Sequence, residues 1–278
     1  MKYENLEKNI SIIADEISIG ELCSLGKDIY VRLKGKFSLG NYSRLGNNTE
    51  IYGNSVEFGE HLFNSAGLRI GGGGRQYPNA NFKIGDRCTI HNNFINVCEP
   101  VIIGDDVGLS PDTSIITHGY WLSVLEGYPA KFAGVKIGNG VIVGYRCVLL
   151  MGVEIADYCV IGANSVISKS LMQKGIYIGS PAKFIAEIKP LNVENKKKKL
   201  EEILNSYKPI ASYHNIKSEI LTDYPFVIIN EFKINVETFE YEGLEDEVTD
   251  DFRDYIRKWG IRIYTKRPFV SKFNIEDS

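Results

Sequence analysis

VKIGNGVIVGYRCVLLMGVEIADYCVIGANSVISKS, residues 135–170, repeats itself every six positions. An aliphatic residue opens each unit, at Ile137, Val143, Leu149, Ile155, Ile161 and Ile167. A small or slim residue stands four places later, at Val141, Cys147, Val153, Cys159 and Ser165. An amphipathic helix would repeat near 3.6 and a one-sided strand near 2, so a period of six fits neither. It fits a short strand followed by a turn. About three such units close one triangular coil, and coils stacked at the ~4.8 Å strand spacing exchange backbone hydrogen bonds. The aliphatic residue then points inward and stacks on its equivalents above and below.

The same pattern extends toward the N-terminus. It runs through Ile13, Ile19, Leu25 and Val31, then Leu39, Leu45 and Ile51, then Ile84 with Ile90, then Ile103, Leu109 and Ile115. A mainly β solenoid over residues 1–190 is therefore expected. A Gly-rich sandwich with accidental spacing would not hold register over six consecutive units. Cys23, Cys88, Cys147 and Cys159 all occupy the small position and read as buried hydrophobes. Cys98 lies outside that register and is the cysteine left as a candidate thiol nucleophile.

The repeat breaks in three places: residues 67–80, Cys98 to Pro100, and His118 to Gly134. Breaks in a solenoid bulge outward as loops, where function concentrates. The first contains Gly71-Gly72-Gly73-Gly74, whose backbone N–H groups could cradle a phosphate; a plain loop is the simpler reading. The third reads HGYWLSVLEGYPAKFAG and gathers His118, Tyr120, Trp121 and Glu126. A neutral imidazole accepts a proton near its reference pKa of ~6.5, so His118, which ends a coil and opens a long loop, is the candidate general base. A surface loop histidine is the plainer alternative.

The chain has 278 residues, 24% of them charged, with a formal net charge of -3. That balance speaks against nucleic acid as the main partner. No apolar run approaches the roughly 20 residues that span a bilayer, and Met1 to Ile10 carries no apolar signal core, so a cytoplasmic protein is expected. After Pro190 the hexads stop. Residues 191–278 read as a small α/β domain. Its expected parts are a helix over Glu194–Tyr207 with Lys196–Lys199 solvated, a strand over Phe226–Phe232, a helix capped by Thr249 and running to Trp259, and a strand over Ile261–Tyr264.

IGDRCTIHNNFINVCEPVIIGDDVGLSPDTSIITHGYW (84–121), the six hexads and the ending IYIGSPAKFIAEI (176–188) together resemble the hexapeptide-repeat acyltransferases, in particular the galactoside, maltose and polysaccharide acetyltransferases. The resemblance implies a left-handed parallel β-helix, a homotrimer, acetyl-CoA or another acyl-CoA as co-substrate, and no metal. It implies His118 as general base for direct attack of an acceptor on the thioester. It places Asn93, Glu99 and Trp121 near the acceptor, and Gly144, Ala163, Ser168, Lys169 and Lys183 along the donor. The order Thr117-His118-Gly119 differs from the family's Thr-Gly-His, and Ile142-Val143-Gly144 stands where the family often has Trp-Ile-Gly. O-acetylation of a sugar in a bacterial surface polysaccharide is the activity this favours. N-acylation of an amino-sugar nucleotide is the alternative, and a non-catalytic scaffold the remote one. A zinc enzyme on this fold would need a third histidine beside His91 and His118, and the sequence does not space one correctly.

Overall fold

Ile137 pairs with Ile155, Val143 with Ile161 and Leu149 with Ile167, each eighteen residues on, so three hexads make one coil. Stacked coils give a left-handed β-helix whose faces are sheets of nine, seven and nine strands. In chain order, face 1 starts with Ile10–Ile13, face 2 with Glu16–Ile19 and face 3 with Ser24–Leu25, and the cycle then repeats. Pairing is parallel except at the ends. There Lys2–Asn5 runs antiparallel to Ile10–Ile13, and Lys183–Ala186 antiparallel to Ile176–Ile178, covering edges that would otherwise expose unpaired backbone. The computed structural model describes residues 1–217 and 219–267. It divides into two compact units at Ile188/Lys189.

The core of the first unit is a triangular prism of the expected aliphatic ladders, with Phe37, Phe58 and Phe82 stacked edge to face on face 2. The turn falls one residue before the small position. Gly140, Arg146, Gly152, Tyr158 and Asn164 carry the positive φ, while Val141, Cys147, Val153, Cys159 and Ser165 point inward and are buried. Cys88 is buried likewise, and Cys23 is half-buried. At the corner between faces 2 and 3, carboxylate and amide oxygens form a ladder. Asp86 Oδ1 accepts from Glu60 N, Asp105 Oδ1 from Asp86 N, Asn139 Oδ1 from Asp105 N and Asp157 Oδ1 from Asn139 N.

One register expectation shifts. Ile13 is exposed, and Ile12 is the residue that aligns with Val31 and Ile51 in the buried ladder. The coil from Ile12 to Val31 advances nineteen residues rather than eighteen, and a one-residue slip exchanges the two sides of a strand.

The second unit packs a helix, α1 (Val193–Tyr213), with a four-stranded antiparallel sheet and a second helix, α2 (Glu247–Ile256). Leu200, Ile203, Leu204 and Tyr207 form the buried side of α1. Phe226–Phe232 is not one strand. Asn230, with φ 51°, turns the chain between Phe226–Ile229 and Phe232–Asn235. Asp246 is the N-cap of α2, with Thr249 completing a capping box. Ile261–Tyr264 forms no strand, although Ile263 is buried in the core. Residues 268–278 of the expected domain lie outside the described residues. Among the described residues no helix is long and apolar enough to cross a membrane.

Candidate active site

All three breaks in the repeat fall on one corner of the prism, between faces 1 and 2, on successive coils. The first leaves face 1 after Arg69–Gly71 and rejoins face 2 at Asn81–Ile84, so the excursion is 72–80, shorter than the sequence suggested. The second separates Phe94–Asn96 from Val101–Ile103, and the third separates Ser114–Ile115 from Val135–Ile137. Stacking at the strand spacing brings three loops, distant in sequence, into one cluster.

His118 stands at the centre of that cluster. The third loop begins as a short hairpin in which His118 pairs with Phe132 and Gly119 with Lys131. Phe132 stacks parallel to the His118 ring at 6.2 Å, and Tyr120 lies tilted at 5.5 Å. His118 Nδ1 lies 2.7 Å from Asn96 Oδ1, one coil below. Gly73, from the first loop, lies against the opposite edge: a Cβ there would stand 3.0 Å from His118 Nε2. Among the described residues Nε2 has no hydrogen-bond partner. Thr117, just before the histidine, is buried and accepts from Glu99 N at 3.2 Å. The arrangement is a half-buried imidazole with one nitrogen engaged and the other available, under an aromatic hairpin.

The sequence candidates separate into two groups. Glu99 is at the His118 corner, its carboxylate accepting from Asn79 Nδ2 at 3.2 Å, so it joins the first and second loops. Ser168 and Lys169 are exposed on the same corner: Ile115 aligns with Leu149 and Leu149 with Ile167, two coil spacings, or about 10 Å along the axis. Trp121 is 90% exposed on the outer part of the hairpin loop. Gly144 and Ala163 lie on a different corner, between faces 3 and 1, where a Gly144 Cβ would meet Ala163 N at 2.6 Å. Lys183 is exposed on the closing strand of face 3.

Asn93 also lies on the corner between faces 3 and 1. It is fully buried; its oxygen accepts from His91 N and its NH2 donates to Ser110 O and Thr113 O. The asparagine that faces His118 is Asn96, three residues on, which the sequence did not single out. His91, at Asn93's corner, has Nδ1 2.9 Å from Ser65 Oγ, and burial pulls its pKa down. Cys98 is buried against Gly74, where a Cβ would come within 2.3 Å of Sγ. Burial, and then the neighbouring Glu99, hold its thiol above the usual range, which disfavours the thiolate a nucleophile needs.

Two carbonyls of the loop Gly71–Gly74 face Asn96, and a third closes a turn within the loop. Gly71 O accepts from Val97 N and Asn96 Nδ2, Gly73 O from Asn96 Nδ2, and Gly74 O from Tyr77 N. Positive φ at Gly71, Gly72 and Gly74 makes this path accessible to glycine with little steric cost.

The family model described as bacterial transferase hexapeptide (six repeats) matches residues 134–169. The chain is 26% identical over 166 residues to galactoside O-acetyltransferase of Escherichia coli (strain K12), covering 56% of this chain and 79% of that protein. It is 47% identical over 129 residues to a probable macrolide acetyltransferase of Lysinibacillus sphaericus, covering 39% of this chain and 71% of the relative. Among solved structures, a hexapeptide-repeat-containing acetyltransferase from Vibrio cholerae is 20% identical with a TM-score of 0.34. That match covers 49% of this chain and 64% of the other, slightly under two thirds of its length.

Proposed function

Because the chain belongs to the hexapeptide-repeat transferases, we propose that it is an acyltransferase that moves an acetyl group from acetyl-CoA to a hydroxyl, with His118 as general base. The observation that carries this reading is the convergence of three loops on one imidazole whose Nε2 has no hydrogen-bond partner among the described residues. Nε2 takes the proton of the acceptor hydroxyl as its oxygen attacks the thioester carbonyl. The tetrahedral adduct collapses, the C–S bond breaks, and the imidazolium returns the proton to the departing thiolate. Glu99 and Trp121 border the acceptor side. Ser168 and Lys169, on the same edge, hold the donor.

Gly144, Ala163 and Lys183 lie away from the His118 corner, so one copy does not unite the proposed donor contacts. A homotrimer, in which a neighbouring prism supplies the second wall of the cleft, unites them. The name of the galactoside relative supports a sugar acceptor. The identity to the macrolide relative supports a second reading, a hydroxyl on a bulkier natural product.

Free-thiol release from acetyl-CoA decides between these, with sugars, amino sugars, nucleotide sugars and macrolides as acceptors. Acceptor-dependent release that falls by on the order of 10²-fold or more in His118→Ala supports the proposal and names the acceptor class. Release that survives the substitution removes His118 as base. Product analysis by mass spectrometry separates esters from amides.

A further inference from the structure

Asn96 is a buried amide, 2% exposed, at the end of the strand Phe94–Asn96, where it pairs with Gly71 one residue beyond the aliphatic ladder of Ile70, Ile95 and Ile115. Its two ends face different kinds of group. On one side stand the carbonyls of Gly71 and Gly73, 3.0 and 3.1 Å from Nδ2. A carbonyl cannot donate, so the NH2 end must face them, and the side-chain orientation is fixed by chemistry. The oxygen end then faces Thr117 Oγ1, which donates to it, and His118 Nδ1 at 2.7 Å. An amide oxygen only accepts. His118 Nδ1 must therefore carry the hydrogen, and in the neutral ring that leaves Nε2 bare.

We infer that Asn96, held by the carbonyls of the Gly71–Gly74 loop, is a positioning residue that fixes His118 in its Nδ1–H tautomer and so makes Nε2 the proton acceptor. The glycine run is part of the device. Its positive-φ residues aim two carbonyls at one amide, and the missing side chain at Gly73 leaves Nε2 uncovered. A Cβ on Gly72 would come 2.8 Å from Asn96 Nδ2 and displace the amide. The consequence for catalysis rests on His118 being the base; the tautomer itself does not.

The test is a long-range proton–nitrogen correlation spectrum of the full chain labelled with 15N-histidine, at a pH where free imidazole is neutral. His118 signals are assigned by their loss in His118→Gln. The wild type should show a protonated Nδ1 and a bare Nε2. Asn96→Ala should move both nitrogens toward the averaged shifts of a mixed tautomer. A wild-type proton on Nε2, or an unchanged tautomer in Asn96→Ala, overturns the inference, even if His118→Ala still abolishes transfer. In kinetics, Asn96→Ala should lower kcat by about 10- to 100-fold with both KM values within about twofold. Asn96→Asp keeps an acceptor for Nδ1 but adds a negative charge, so it should restore part of kcat. It should also move the acidic limb of the kcat/KM profile to higher pH, because the charge favours imidazolium. A merely structural role would change melting temperature without moving that limb.

Discussion

The ring of Phe132 lies parallel to that of His118, with centroids 6.2 Å apart and planes inclined by 10°. The two residues are opposite each other at the base of the hairpin that covers the corner. Phe132 also stacks on Tyr120 at 5.4 Å, so the histidine is braced on its outer side by two rings of the same arm. An aromatic pair of this kind contributes ~0.5–1.5 kcal/mol beyond area burial. Phe132→Ala should therefore lower kcat/KM by about 2- to 10-fold through a less ordered base. The global unfolding midpoint should stay close to wild type, since the ring is half exposed and outside the core. Steady-state kinetics beside a urea titration checks this. An unchanged kcat/KM would remove the arm from base positioning.

The β-helix leaves no space for a methyl group at some glycines and ample space at others. A Cβ on Gly46 would lie 1.8 Å from Ser65 O on the next coil, whereas one on Gly108 meets nothing within 4 Å. Gly46→Ala must push two coils apart and should cost at least ~1–3 kcal/mol, the usual range for overpacking. Gly108→Ala should be neutral or stabilise by ~0.4–1 kcal/mol through a less flexible unfolded chain. Urea midpoints at constant m-value provide the comparison. Equal effects at the two sites would mean that the inter-coil contact at Gly46 relaxes freely.

The fold was legible because one short period specifies it. Six consecutive units from Ile137 share a single register, and that register implies strand, turn, corner and stacking together. Where a coil takes one residue more than three hexads, as between Ile12 and Val31, the period alone chose Ile13, the wrong side of the strand. The hairpin at Asn230 was read as one strand because no Gly or Pro marks the turn. The site was legible as far as His118 and its loop. Asn96 was not, for a physical reason. Its partners are a histidine 22 residues away and two backbone carbonyls from another coil, and a carbonyl leaves no trace in residue type. Asn93 and Asn96 look alike in the string, and only their place on the coil assigns one to a structural corner and the other to the base.

Burial gives the first unit a definite response to alkali. The Cys88 thiol, desolvated between coils, is pushed up to about 12 from an unfolded value of 9.0. Between those values the unfolded chain releases a proton that the folded chain keeps, so the folded state binds more protons and stability falls as pH rises. Unfolding free energy should be insensitive to this group below pH 9 and decline progressively above it. Cys98, Cys147 and Cys159, also raised by burial, add to the same trend. In Cys88→Ala the decline should be shallower, as read from urea titrations at successive pH values. An equal slope in the variant would mean that other groups control alkaline unfolding.

In the second unit the chain commits a fully buried guanidinium to cohesion. Arg253 is 0% exposed and donates to Glu245 Oε1 at 2.8 Å, Asp250 Oδ1 at 3.2 Å, Ile263 O at 3.1 Å and Arg267 O at 3.2 Å. These contacts tie α2 to the segment that follows it, which has no strand of its own to hold it. An arginine stays charged in a protein, and two carboxylates beside it are largely shielded from water. Removing it leaves Glu245 with only the Thr265 hydroxyl, while Asp250 keeps its pair with Arg267, and breaking a buried pair in this way costs up to ~3–5 kcal/mol. The two tryptophans separate the units: Trp121 lies in the hairpin loop and Trp259 just after α2. In a Trp121→Phe background, Trp259 fluorescence reports on the second unit alone. Arg253→Ala should lower the urea midpoint of that signal sharply while the β-sheet circular dichroism of the prism unfolds at its original concentration. If both signals shift together, the two units unfold as one, and the role assigned to Arg253 extends to the whole chain.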